Sequence, residues 1–142
     1  MSNARYNQFP SKPAFRAYKN VNGFTPTTAS VIVWDTAVYN HGSHYSTSTG
    51  YFTAPFAGIY HFSLYSITQG NLNNGQWNLY INGARIKGGD VHFSHNTGSA
   101  WDNVAWNGDV ELSEGDYVEV RSQAPTTFHG SFWSHFCGHL VT

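Results

Sequence analysis

Eight histidines in a chain of 142 residues are the first hint of chemistry. They are His41, His44, His61, His92, His95, His129, His135 and His139. Near neutral pH an imidazole can ligate a metal or move a proton. The densest group is His135, Cys137 and His139, at i, i+2 and i+4, where a thiolate and two imidazoles suit zinc. Alternate residues of a strand, however, sit about 6.6 Å apart, so these three spread over roughly 13 Å and cannot converge on one ion. The pairs His41/His44 and His92/His95 lie in turn-rich sequence without neighbouring acids, so they read as surface histidines. Calcium needs several oxygen ligands at once. The candidates Asp102, Asp109, Glu111, Glu114 and Asp116 are scattered and read as solvated turn and strand carboxylates. Ser134–His135 and Cys137–His139 are the nucleophile–base suggestions. A triad needs a base oriented by a third group, and strand neighbours such as Ser134 and His135 point to opposite faces. No phosphate loop and no helical His-Glu motif occurs. The expectation is a chain with no catalytic residues, no metal and no cofactor.

The elements that hold these residues are strands. Aromatics make up 17% of the chain and charged residues 11%, the reverse of a disordered segment. The net charge of -1 offers no excess of cations for a phosphate backbone, so nucleic acid is not an expected partner. One cysteine excludes an internal disulfide. No apolar run approaches the roughly 18–20 residues of a membrane helix, so no membrane insertion is expected. The first residues lack the layout of a secretory signal. Residues 1–12 read as an extended arm and 13–142 as one domain.

Helical periodicity is absent, while alternation is widespread. Strands are expected at Pro13–Lys19, Ser30–Asp35, Tyr51–Ala54, Gly58–Thr68, through Trp77–Ile81, at Ala84–Lys87, up to Leu112, at Tyr117–Arg121 and at Phe132–Val141. In Gly58–Thr68, Tyr60, Phe62 and Leu64 share one face, with His61, Ser63 and Tyr65 on the other. Asn82-Gly83 supplies two residues suited to positive φ, as a type I′ hairpin turn requires. An all-strand chain of this length is a β-sandwich or barrel. Trp34, Phe52, Tyr60, Phe62, Leu112 and Val118 are the expected core. Trp77 and Trp101, beside polar segments, are the aromatics expected to be exposed for contact with a ligand.

An ordered set of short motifs runs along most of the chain. It includes Trp34-Asp35, Tyr39-Asn40, Tyr45, Gly50-Tyr51-Phe52-Thr53-Ala54-Pro55 and Gly58-Ile59-Tyr60-His61-Phe62. Downstream come Asn82-Gly83, Leu112, Gly115-Asp116-Tyr117-Val118 and Phe136-Cys137-Gly138-His139-Leu140. In order and spacing this set resembles the globular head of complement component 1q, from about Phe15 to the C-terminus. The resemblance implies a ten-stranded jelly-roll β-sandwich of the tumour-necrosis-factor type, homotrimeric and non-enzymatic. On that fold one sheet packs against neighbouring subunits. The expected interface is His61, Ser63, Tyr65, Phe136 and Leu140, although parity alone does not say which face of the last strand is which. Three copies of His61 near an axis would resist protonation, so acid is expected to loosen the trimer.

With neither a Gly-X-Y stalk nor a signal in view, the first functional reading is a structural or recognition module on a virion or phage fibre. Its partners would be other structural proteins. The alternative is a secreted head that binds a surface receptor or glycan, which makes the location either virion or extracellular.

Overall fold

The computed structural model describes residues 12–69, 72–95, 101–124 and 127–142. The arm expected over residues 1–12 therefore lies, apart from Lys12, outside the described residues. Among the described residues there are strands and turns and no helix.

The strands are β1 (Ala14–Tyr18), β2 (Ser30–Val31), β3 (Thr36–His41), β4 (Phe52–Thr53), β5 (Gly58–Gln69) and β6 (Leu72–Ile81). They continue as β7 (Ala84–His95), β8 (Trp101–Leu112), β9 (Tyr117–Ala124), β10 (Phe128–His129) and β11 (His135–Leu140). They form a six-stranded and a five-stranded sheet. In the larger sheet β5 is flanked by β8 on one side. On the other side β10 and β11 follow one another along β5, and β1 and β3 come next. In the smaller sheet β9 is flanked by β6 and then β7, with β2 and β4 along its other side.

Local sequence explains most of these elements. Asn82 and Gly83 take φ of 52° and 77°, so the β6–β7 hairpin closes in two residues. Ile32 and Trp34, from the β-branched run at 30–35, are fully buried, but only Ser30 and Val31 join the ladder. The chain then bends into β3, a sheet-edge strand that its sequence TAVYNH does not announce by alternation. β7 is longer than expected because register shifts let it follow β6 beyond Lys87. The last strand is shorter than expected. Ser131 takes a φ of 44°, and a turn at Ser131–Phe132, closed by the Trp133 amide on Gly130 O, leaves Phe132 95% exposed.

The two sheets face each other across an aromatic layer, as alternating inward residues require. Phe15 of β1 stacks on Tyr45 at 4.5 Å and on Phe52 at 5.2 Å, and meets Phe136 edge-on at 5.1 Å. Trp34 meets Trp77 at 6.1 Å, and Phe128 packs against Trp77 at 5.0 Å. Trp34, Phe52, Tyr60, Phe62, Leu112 and Val118 all lie in this layer at 2% exposure or less. Buried hydroxyls find partners. Tyr45 donates to Trp34 O at 3.1 Å, and Tyr60 donates to Phe56 O at 2.8 Å.

Gly138 sits in β11 directly opposite Phe62. A Cβ there would lie 2.5 Å from the Phe62 ring and 2.9 Å from Phe15. Such overpacking costs about 1–3 kcal/mol, whereas deleting the Phe62 ring costs about 3–5 kcal/mol. Denaturant unfolding should therefore show Gly138→Ala and Phe62→Ala both destabilised. The double variant should lose less than the sum, because removing the ring makes room for the methyl group. Strict additivity would show that the ring and the glycine do not share that space.

Candidate functional site

The outward face of the six-stranded sheet is built by strand alternation. Because Tyr60, Phe62 and Leu64 point into the core, His61, Ser63 and Tyr65 point out. Pairing of β11 with β5 aligns His135 with Tyr65, Cys137 with Ser63 and His139 with His61. β1 adds Arg16 beside Cys137 and Ala14 beside His139. Across these rows Tyr65 stacks on His135 at 5.8 Å, and the rings of His61 and His139 are 5.4 Å apart. The Tyr65 hydroxyl donates to Asn103 Oδ1 at 2.8 Å. His61 Nδ1 lies 2.8 Å from Asp109 Oδ1 on β8. His61 thus faces a carboxylate of its own chain on one side and the His139 ring on the other.

Two expected interface residues are not on this face. Phe136 and Leu140 align with Leu64 and Tyr60, whose parity is inward, and all four are buried in the core of a single chain. The last strand instead presents His135, Cys137 and His139. Parity on that strand was ambiguous because both of its faces are bulky; the inward face is the one that carries Gly138 against Phe62. Trp77, expected to be exposed, is fully buried. Its polar neighbours Gln76 and Asn78 are the opposite-face residues of an alternating strand and say nothing about its own burial. Trp101 is 54% exposed, stacked on His129 at 4.4 Å, with Trp133 at 6.5 Å.

The catalytic suggestions do not assemble. Ser134 is buried, shares a 2.7 Å hydrogen bond with Ser66 and donates to His129 O, while His135 points to the other side of the sheet. Burial pushes the Cys137 thiol up, against the opposing pull of Arg16 and of hydrogen bonding to Ser63, which keeps it a thiol rather than a thiolate. Among the described residues no three His, Cys, Asp or Glu side chains group closely enough to hold a metal ion. Asp116 is a turn carboxylate held low by hydrogen bonds from Asn82 and the Ser113 amide. The side chain of His95 lies outside the described residues.

The outward face of the five-stranded sheet carries a different set, which the sequence reading did not assemble. Tyr51 stacks on Tyr117 at 4.8 Å. Glu119 is fully buried and accepts from Arg121 Nε at 2.8 Å, and Arg121 lies over the Tyr80 ring at 4.4 Å. Gln123 donates to the Tyr80 hydroxyl at 2.6 Å. The Glu119 charge, ahead of burial, pushes the Tyr51 phenol up. Apart from Glu119–Arg121 within β9, these contacts join separate stretches of the chain, so no single stretch of sequence displays the set.

Two histidines carry a pH dependence. Burial pushes His135 below its ordinary value, and the nearby Arg16 charge adds to the effect; burial does the same for His44. The unfolded chain then binds more protons than the folded one. Stability is complete above the unfolded value of about 6.5 and falls as pH drops through the lowered folded values. Thermal unfolding followed from about pH 7.5 to 5 should show that decline, and His135→Gln should flatten part of it. An equally steep decline in His135→Gln would remove His135 as its source.

Comparison with known proteins agrees with this geometry. The C1q domain model matches residues 14–141. Complement C1q and tumor necrosis factor-related protein 9A from Homo sapiens is 31% identical over 121 residues, covering 85% of this chain and 34% of the relative. Protein HP-25 homolog 1 from Bos taurus is 26% identical over 120 residues, covering 80% of this chain and 51% of the relative. The chain thus spans only 34% of the length of the first of these relatives. Among solved structures, the globular domain of zebrafish complement 1qA superposes with a TM-score of 0.76 at 20% identity, over 92% of this chain and 98% of that one. Murine APRIL at pH 5.0 gives 0.70 at 12% identity, over 92% and 100%. With the family model covering nearly all of the strands described above, the chain belongs to the C1q domain family.

Proposed function

We propose that this chain is a non-enzymatic recognition head that works as a homotrimer outside the cell and binds a protein or a glycan. The observation that carries the reading is the outward face of the six-stranded sheet. In a single chain this face leaves Tyr39, Trp101, Trp133 and Phe132 at 41%, 54%, 46% and 95% exposure. An uncovered aromatic and imidazole face of this kind marks an interface. His61, Ser63 and Tyr65, with His135, Cys137 and His139, form its middle. The five-stranded sheet, by contrast, holds its outward tyrosines and arginine in internal hydrogen bonds and stacks. The virion or phage mount has no observation of its own in the fold, and the recognition head is the reading supported here.

Trp101 is the ligand contact in this proposal. It stands at one end of the outward face, its ring held by His129. An indole fixed in this way loses little freedom on binding a sugar ring or an apolar side chain.

Sedimentation equilibrium at micromolar concentration should give a single trimeric species. A stable monomer there would overturn the proposal. Trp101→Ala should leave sedimentation unchanged while reducing ligand capture on a glycan or ectodomain array. If capture survives without Trp101, the contact lies elsewhere.

A further inference from the structure

Of the eight histidines, His61 and His139 are the pair that the sheet brings ring to ring. They stand directly opposite each other on β5 and β11, with outward parity. Their ring centroids are 5.4 Å apart and their planes meet at 42°. The other imidazole ring contacts among the described residues are with Tyr39, Tyr65 and Trp101. The row continues on both sides. Asp109 of β8 is opposite His61, and Ala14 of β1 is opposite His139. With only a methyl group on its far side, His139 is exposed.

Asp109 fixes the tautomer of His61. His61 Nδ1 lies 2.8 Å from Asp109 Oδ1. A carboxylate accepts, so the ring proton sits on Nδ1 and Nε2 keeps its lone pair. Nδ1 and Nε2 lie on opposite edges of an imidazole. With Nδ1 turned to β8, Nε2 is on the edge turned to β11, where His139 stands. A carboxylate behind the ring is also the partner that metal-bound histidines usually have. The spacing fits an ion between the rings. With metal–nitrogen bonds of about 2.0–2.1 Å at a tetrahedral angle, two ligating imidazoles have ring centres about 5.2 Å apart. Glu111, two residues along β8 with the same parity as Asp109, adds a second negative charge nearby. Arg16 is one row away and beyond β11.

We propose that His61 and His139 hold a divalent transition-metal ion, zinc or copper, between β5 and β11, with Asp109 as the positioning residue behind His61. The ligands come from adjacent strands about 4.8 Å apart, so they converge where His135, Cys137 and His139, strung along one strand, do not. The described residues group no third ligand with them, so water fills the remaining positions. Imidazole nitrogen suits zinc and copper, whereas calcium and magnesium take oxygen ligands. Once bound, the ion clips the last strand to β5, beside the tie between Thr142 and Ile59. The site needs one chain only and stands independently of the trimer.

The test is calorimetric titration of zinc chloride into the full chain, in a non-chelating buffer at about pH 7.5, where imidazoles are neutral. Wild type should bind zinc saturably, and an equal concentration of calcium should not displace it. His61→Ala and His139→Ala should each weaken binding more than tenfold, and Asp109→Asn by about tenfold or more, because the ring loses the group that sets its tautomer. His92→Ala, on the other sheet, should bind as wild type does. Nitrogen NMR of the imidazole rings supplies a readout that a merely structural role would not move. Before zinc, His61 should carry its proton on Nδ1; on adding zinc, His61 Nε2 and one nitrogen of His139 should shift. If wild type binds no zinc, if either alanine variant binds as tightly as wild type, or if calcium competes equally, the site is wrong. Should an alanine variant fold poorly by circular dichroism, the NMR of wild type still decides, and zinc shifts confined to other histidines overturn the site.

Discussion

Two sheets can bury a shared layer of rings only if each strand keeps its register, because a slip of one residue turns every inward side chain outward. In this chain the register of the six-stranded sheet is pinned where Phe62 lies over Gly138, with Phe15 beside them. The absent side chain on β11 is what lets the Phe62 ring lie flat between strands, and no other alignment of β11 on β5 puts a glycine beneath it. Everything on the outward face inherits this alignment. The rows that join His61 to His139 and Tyr65 to His135 are the reverse side of the pairing that packs Phe62 and Phe136.

The two outward faces then differ in how far they satisfy themselves. On the five-stranded sheet Glu119 is buried beneath its neighbours, Arg121 bridges it to Tyr80, and Asp90 takes both Arg85 and Asn78. There Arg85 and Arg121 each meet a carboxylate of their own chain. On the six-stranded sheet Arg16 and Glu111 form no ion pair among the described residues, and aromatic rings stand open to water. Nearly neutral overall charge hides this division, since the imbalance lies in where the charges sit rather than in their sum.

Much of this was legible from residue order alone. The Gly58–Thr68 alternation shows its inward face without help, because Tyr60, Phe62 and Leu64 follow one another on one parity while His61 and Ser63 interrupt the other. Asn82-Gly83 announces its turn because few other pairs tolerate two positive φ values. Legibility failed where both parities are bulky, as in Phe136-Cys137-Gly138-His139-Leu140, and where an apolar residue sits between polar ones, as with Trp77. β3 escaped notice because an edge strand buries little and need not alternate. The grouping of Tyr51, Tyr80, Tyr117 and Arg121 joins two strands and a loop, and only the folded chain brings them together. The ordered motifs that resemble the complement 1q head carried the fold further than periodicity could.

The first and last strands lie side by side and antiparallel, with Ala14 opposite His139, and the final residue Thr142 is tied back to Ile59. Both described ends of the chain therefore leave the sandwich from the same pole, the one that carries the His61–Asp109 contact. Trp101 and His129 occupy the opposite pole. A molecule tethered through either end, to a bead, a lipid anchor or a fused coiled coil, would hold its indole pole outermost. Attachment chemistry and display are thus decoupled by topology, and both a leading and a trailing fusion should present the same surface to an incoming partner.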